Sequence, residues 1–328
     1  MKDARSRRST REGKFIASID IGSLTARLLI AERTNPPGLF RPVLRKRTYI
    51  RLADGFRGKE EGDIPVEALE RALDALEDFA LLSRRYGVGE ILAVSTGVIR
   101  RAANRNHFLD LVKKRTGINA SIVSGEEEAR LTYKGISRGL NIEGGSPVIF
   151  DLGGGSTEFV FKKGRGLEVK SLPLGVVTLS QRFLSSDPPV DDEIEALSAH
   201  VDMTLKKAFL SETYGGVITG LIGSGGTVTT LAAMLHRVNV NEIIPEKLNG
   251  LILEGSRIED LFTQIRFLSV SERMRLPGLD RDRAVVIPAG AVSVIRILRF
   301  FNSREMTVSH SDILEGILIS YLQGGKND

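Results

Sequence analysis

Two stretches of the chain follow the same course, an apolar strand pattern ending in an aspartate and a glycine turn. Phe15-Ile-Ala-Ser-Ile leads into Asp20-Ile-Gly22-Ser23, and Pro147-Val-Ile-Phe leads into Asp151-Leu-Gly153-Gly154-Gly155-Ser156-Thr157. A repeat of this kind predicts duplicated halves around a cleft, each copy opening a domain of its own. In the first half, Leu28 to Ile30 continues a hairpin that turns near Asn35-Pro-Pro-Gly38. Asp63 and Pro65 are helix-start signals, and Val66, Leu69, Leu73, Leu76 and Phe79 recur at helical spacing behind them. Glu90 to Ser95 reads as a buried strand, Asn104 to Arg115 as a helix stopped by Gly117, and Ala120 to Val123 as a strand.

The second half repeats the style. Glu158 to Phe161 and Leu167 to Lys170 flank a Lys-Lys-Gly-Arg-Gly turn, so they read as a hairpin. Period two puts Phe159 and Phe161 on one face, with Glu158 and Val160 on the other. Ile194, Leu197, Val201 and Leu205 form a helix stripe, and Val217 to Ile222 is a strand. It enters Gly223-Ser224-Gly225-Gly226-Thr227, which opens a helix running through Leu235. The tail from Asp312 to Leu322 reads as a final amphipathic helix. Strands alternating with helices argue an α/β fold with helices packed on sheets.

Composition narrows the chemistry more than the fold. At 328 residues the chain is long for one core and comfortable for two domains. The absence of cysteine excludes disulfides, thiolate metal sites and cysteine-nucleophile phosphatases. His107, His200, His236 and His310 show no metal-ligand spacing, and no His-Asp dipeptide occurs, so carboxylates remain to do the chemistry. Residues 1–13 read as a basic flexible tail without the apolar stretch of a signal peptide, and no apolar run approaches membrane-spanning length. A cytoplasmic location is therefore expected. The net charge of +5 suits an anionic ligand, while the sparse aromatic residues do not interleave with basic clusters, so no specific nucleic-acid partner is expected.

Three glycine-rich turns follow three strands. Glycine lets backbone N–H groups approach a ligand with no Cβ in the way, and successive amides form an anion-binding nest. The hydroxyls of Ser23, Ser156 and Thr157 add donors. None of the turns ends in Gly-Lys-Ser/Thr, which excludes a P-loop. Asp20 and Asp151, at strand ends beside phosphate-sized concavities, are hard oxygen ligands suited to Mg²⁺ or caps for their own loops. In Ser124-Gly-Glu126-Glu127-Glu128, Ser124 and Glu127 have capping-box spacing. Glu128 lies about 100° further round the helix, and the spacing alone assigns it no catalytic role.

Asp20-Ile-Gly-Ser, Ser95-Thr96 with Arg100, Ser124-Gly-Glu-Glu-Glu-Ala-Arg-Leu, Asp151-Leu-Gly-Gly-Gly-Ser-Thr-Glu158, Gly223-Ser-Gly-Gly-Thr and Leu276-Pro-Gly-Leu279 occur in one order. In that order they resemble the exopolyphosphatase / guanosine pentaphosphate phosphohydrolase (Ppx/GppA) family, over roughly Lys14 to Leu322. The resemblance implies two actin-like (ribonuclease H-like) α/β domains around an interdomain cleft, at residues 14–136 and 137–328, with the last helix packing back on the first. It implies Mg²⁺-assisted in-line attack of water on the terminal phosphate of inorganic polyphosphate or pppGpp. Glu128 would be the general base, and Asp151 and Glu158 would hold Mg²⁺ with Asp20 as helper through water. Ser23, Arg100, Gly153, Gly154, Gly155, Ser156, Thr157, Gly225 and Gly226 would bind phosphate. The alternatives are an ATPase or kinase of the actin-like superfamily and a non-catalytic polyphosphate or (p)ppGpp sensor; homodimerisation is left open. The chain resembles the short form that lacks a C-terminal helical domain. It departs from the family at Leu24, where asparagine is usual, and at Ser309-His310-Ser311-Asp312 and Leu314-Glu-Gly316.

Overall fold

The apolar runs ending in Asp20 and Asp151 are the inner strands of two separate sheets. The computed structural model of the chain describes residues 13–34, 39–56, 62–140, 142, 146–164, 166–209 and 218–324. The first half comprises β1 (Phe15–Ile21), β2 (Thr25–Thr34), β3 (Leu39–Tyr49), α1 (Val66–Arg85), β4 (Val88–Ser95), α2 (Arg105–Thr116), β5 (Ala120–Ile122) and α3 (Gly125–Leu140). Its five strands lie in the order β3-β2-β1-β4-β5. β1 is antiparallel to β2 and parallel to β4.

The second half begins with β6 (Val148–Leu152), β7 (Thr157–Lys163), β8 (Gly166–Leu172), α4 (Val176–Phe183), α5 (Asp191–Phe209), β9 (Leu221–Ser224) and α6 (Gly226–Leu235). It continues through α7 (Pro245–Leu248), β10 (Ile252–Glu254), α8 (Gly255–Ile265), α9 (Val270–Arg273), α10 (Ile287–Phe300), β11 (Glu305–Val308) and α11 (Ile313–Gly324). Its sheet runs β10-β11-β9-β6-β7-β8. Again the inner strand β6 is antiparallel to the hairpin partner β7 and parallel to β9. Two sheets of one topology, the second with an added edge strand, make the two-domain actin-like α/β fold.

Both inner strands are buried on two faces, which explains their continuous apolar runs. Ala17, Ile19 and Ile21 of β1 pack with Leu69, Leu73, Leu76 and Phe79 of α1. The other face, with Ile16, Leu29 and Ala31, packs against Leu314, Leu318 and Ile319 of α11. In the second sheet Phe159 and Phe161 face the α5 and α10 side, where Phe159 meets the Phe209 ring edge-on at 5.4 Å. Val160, with Ile149 and Ile222, faces Ala129 and Ile136 of α3. The period-two reading of that strand holds.

The two sheets exchange helices. α3 follows the first sheet yet packs on the second, and α11 follows the second yet packs on β1. They cross with backbones in contact. A Cβ at Gly135 would lie 1.8 Å from the Asp312 carbonyl oxygen, and one at Gly316 1.8 Å from that of Leu131. Only glycine fits at either point.

Two expectations need adjustment. α11 is not amphipathic, because every residue from Ile313 to Ile319 is buried between β1 and α3. β9 begins at Leu221; residues 218–220 are not strand, and Val217 lies outside the described residues. The turn at 35–38, Arg165 in the β7–β8 turn and the basic tail through residue 12 also fall outside them.

Candidate active site

The strand ends and helix N-termini of the two halves meet at a cleft of about 450 Å³. Asp20, Ser23, Glu128, Asp151, the Gly153–Ser156 loop and the Gly225-Gly226 turn all line it. Arg100 and Glu158 lie behind Glu128. Thr157 is fully buried, and its hydroxyl donates to the Leu174 carbonyl at 2.9 Å, so as placed it fastens the loop rather than facing the cleft.

In the first loop Asp20 is fully engaged. Arg27, directly opposite it across the β1–β2 hairpin, donates from Nε and Nη2 to Oδ2 at 3.0 and 2.7 Å. The Thr96 hydroxyl donates to Oδ1 at 3.1 Å. The remaining Arg27 nitrogen, Nη1, donates to Asp312, which also caps α11 by accepting from the Leu314 amide. Burial alone would lower the Arg27 pKa, but Asp312 and Asp20 together hold it above the ordinary arginine value. Ser23 Oγ accepts from the Val98 amide at 3.1 Å.

The second loop is differently balanced. Among the described residues Asp151 accepts one side-chain hydrogen bond, from the Ser224 hydroxyl at 2.6 Å. Burial, and after it the nearby Asp312 charge, push its carboxyl up to about 7. Glu158 faces Asp151 across the β6–β7 hairpin and is 2% exposed. Its Oε1 accepts from Ser156 and Ser171 at 2.7 and 2.8 Å, yet burial still raises its pKa. The Gly153 amide is spent on the Ser156 carbonyl, which closes the turn. Gly225 has φ +96°, and a Cβ there would stand 2.5 Å from the Leu152 carbonyl oxygen, so the third turn also needs glycine.

Glu128 enters from α3. Ser124 accepts from the Glu127 amide at 3.1 Å, one half of the capping box expected from the spacing, and this leaves Glu128 to turn into the cleft. Arg100 donates to Glu128 and to the Val123 carbonyl, and its Nη2 lies 3.9 Å from Glu158. Burial first and Glu158 second raise the Glu128 pKa well above the carboxylate range, against the pull of Arg100. A carboxylate that binds a proton more tightly than usual is the stronger base.

Among the described residues no group of three or more His, Asp or Glu is close enough to hold a metal ion by itself. The residues nevertheless fit Mg²⁺, which binds through one or two carboxylates and completes its shell with water and substrate phosphate. Glu158 is buried and Asp151 half-buried, and their charges are incompletely offset by protein donors, so a cation beside them relieves a real electrostatic cost.

The sequence reading missed Arg27, Asp312 and Arg283. Arg27 stands at the same offset from Asp20 as Glu158 from Asp151, so the hairpin register was the available signal. Asp312 stood in the altered motif Ser309-His310-Ser311-Asp312, but its pairing with Arg27 depends on α11 returning to β1. Arg283 lies against Gly226, where an added Cβ would meet Nη2 at 1.8 Å. His310 also lines the cleft, with burial pushing its imidazole down to about 4.

A sequence model of the Ppx/GppA phosphatase family matches residues 29–324. The chain is similar to exopolyphosphatase 2 of Mycobacterium tuberculosis, 30% identical over 316 residues, covering 93% of this chain and 98% of that protein. It is 28% identical to a guanosine-5'-triphosphate,3'-diphosphate pyrophosphatase of Aliivibrio fischeri, covering 98% of this chain and 62% of the relative. Its structure matches an exopolyphosphatase from Cytophaga hutchinsonii with a TM-score of 0.84 at 28% identity, over 94% of this chain and 98% of that one.

Proposed function

The chain belongs to the Ppx/GppA phosphatase family and is a phosphoanhydride hydrolase, and we propose that it releases the terminal phosphate of inorganic polyphosphate or pppGpp through water attack assisted by Glu128. One observation carries the reading: a buried glutamate of raised pKa, oriented by Arg100, faces the glycine loop of the second half across the cleft.

In this reading the terminal phosphate rests on the Gly153–Ser156 loop and the Gly225-Gly226 turn. Glu128 takes the proton of a water molecule as its oxygen bonds to phosphorus, while the bond from phosphorus to the bridging oxygen breaks. Arg100, within reach of both Glu128 and Glu158, holds the base in place and supplies positive charge to the phosphate. Asp151 and Glu158, with Asp20 acting through water, would hold Mg²⁺, whose charge offsets that of the phosphate oxygens. Asp20, with both oxygens already engaged, suits the indirect role. Ser23 supports the loop from its bond with Val98. Proximity and charge placement account for most of the rate in phosphoryl transfer.

The nucleotide-kinase alternative needs an open nucleoside face beside the third turn. Arg283 lies across Gly226 on that face, which weighs against it. No helix among the described residues is long and apolar enough to cross a membrane, and we place the reaction in the cytoplasm.

The test is Mg²⁺-dependent phosphate release from long-chain polyphosphate, pppGpp and ATP, run beside Glu128→Gln. Release from polyphosphate or pppGpp is expected, with turnover in the variant lower by about 10²–10⁴. Normal turnover in Glu128→Gln removes the assignment of the base; release from ATP alone removes the substrate assignment.

A further inference from the structure

The mouth of the cleft is bridged by ion pairs between the two halves. Arg47, near the end of β3, places Nη2 2.5 Å from Asp280 Oδ2. Arg51, just beyond that strand, places Nη2 2.6 Å from Asp282 Oδ1. Asp280 and Asp282 sit in the loop between α9 and α10, so each bond joins one half to the other.

Three features mark these arginines as more than a tie. First, Arg47 and Asp280 line the same cavity as Asp151 and the Gly153–Ser156 loop, with the Arg51–Asp282 pair outside that lining. Second, two arginines and one carboxylate, Asp280, act on Tyr49. Arg47 lies 5.4 Å from the centre of the Tyr49 ring and Arg283 5.9 Å from it. Arg283 is 6% exposed, its Nε lacks a hydrogen-bond partner, and among the described residues it has no ion pair. Third, the aspartates present oxygens as a phosphate would. Asp280 Oδ1 is fixed by the Asp282 amide at 3.2 Å, which aims Oδ2 at Arg47. Arg51 and Asp282 are 40% and 42% exposed, so water and solute reach that pair readily.

Arg51 is also held in an unusual backbone conformation. Its φ is +50°, in the left-handed region that non-glycine residues rarely occupy. The amides of Ile50 and Arg51 both donate to the Leu24 carbonyl, which fixes the turn. The first phosphate loop thus sets the position from which Arg51 reaches the mouth.

We propose that Arg47 and Arg51 form a distal phosphate subsite for a linear polyphosphate, which Asp280 and Asp282 occupy as internal phosphate substitutes when no chain is bound. The inference rests on the phosphohydrolase reading and extends it. A chain whose end lies on the glycine loop presents further phosphates toward the mouth, and these displace the aspartates from the two arginines. A charge-assisted bond from guanidinium to phosphate can replace one to carboxylate with little change in geometry.

The test is direct titration of the Mg²⁺-loaded protein with long-chain polyphosphate and with tripolyphosphate, which is too short to extend far from the loop. Asp280→Asn/Asp282→Asn should tighten long-chain binding by about threefold to tenfold, and Arg47→Gln/Arg51→Gln should weaken it by about tenfold or more. Both effects should be several times smaller for tripolyphosphate. Asn retains the capping oxygen at position 280, and thermal melting of each variant checks its fold. A simple tie between domains moves both pairs of variants in the same direction, or affects the two ligands equally, and either result overturns the subsite. So does a wild-type protein that binds long-chain polyphosphate no more tightly than tripolyphosphate. If the binding pattern holds but the wild type releases no phosphate, the hydrolytic reading fails and the subsite stands.

Discussion

The hairpins that open the two sheets share one register and differ in one charge. Asp20 faces Arg27 across β1 and β2, and Asp151 faces Glu158 across β6 and β7. In the first half the aspartate is neutralised on the spot, with both its oxygens accepting protein donors. In the second half a carboxylate stands opposite a carboxylate, burial raises both pKa values, and serine hydroxyls supply the protein's main offset. The two halves thus hold two copies of one glycine-turn hairpin, one structurally satisfied and one left short of positive charge. The first positions; the second asks for a cation.

Substitutions at matching positions should separate these roles. Arg27→Gln has the largest expected effect on stability. It leaves Asp20 and Asp312 buried without their counter-ion, at a cost of about 3–5 kcal/mol. Denaturant unfolding should show the loss, while Glu158→Gln at the equivalent place should leave stability unchanged or higher and abolish turnover. Equal losses in both would break the comparison.

Asp151→Asn comes next, with the opposite sign. The Asp151 carboxyl is raised to about 7 in the folded chain, against about 3.9 unfolded. The folded state therefore holds that proton more tightly, and the stability gained is complete below about pH 4 and lost as pH rises through 7. In chelator, wild-type protein should become less stable across that window, and Asp151→Asn should flatten the slope and gain roughly 2–4 kcal/mol at pH 7. A slope of the same size in the variant would assign it to other groups.

Gly135→Ala tests what the halves share. Its Cβ meets the Asp312 carbonyl at the α3–α11 crossing, so about 1–3 kcal/mol should be lost. Because α3 carries Glu128 and α11 begins at Asp312, both halves should respond, seen as a lower melting temperature together with lower turnover. A neutral alanine would show that the helices separate easily.

The fold was largely legible, because strands buried on both faces leave continuous apolar runs and the glycine turns mark where they end. Period two in Glu158 to Phe161 correctly divided the faces of β7. Charge pairing was less visible. Nothing in the local sequence singles out Arg27, and only the hairpin register sets it against Asp20. Asp312 and Arg283 reach the cleft only through long-range packing, which local spacing does not encode. The same is true of α11, whose apolar residues surround the helix because both of its sides are covered.

Calorimetric titration of the metal-free protein with Mg²⁺ or Mn²⁺, comparing Asp151→Asn with Asp20→Asn, tests the difference between the halves most directly. The account predicts that Asp151→Asn abolishes measurable binding and that Asp20→Asn retains it within about tenfold. Binding that survives Asp151→Asn and vanishes in Asp20→Asn would contradict it.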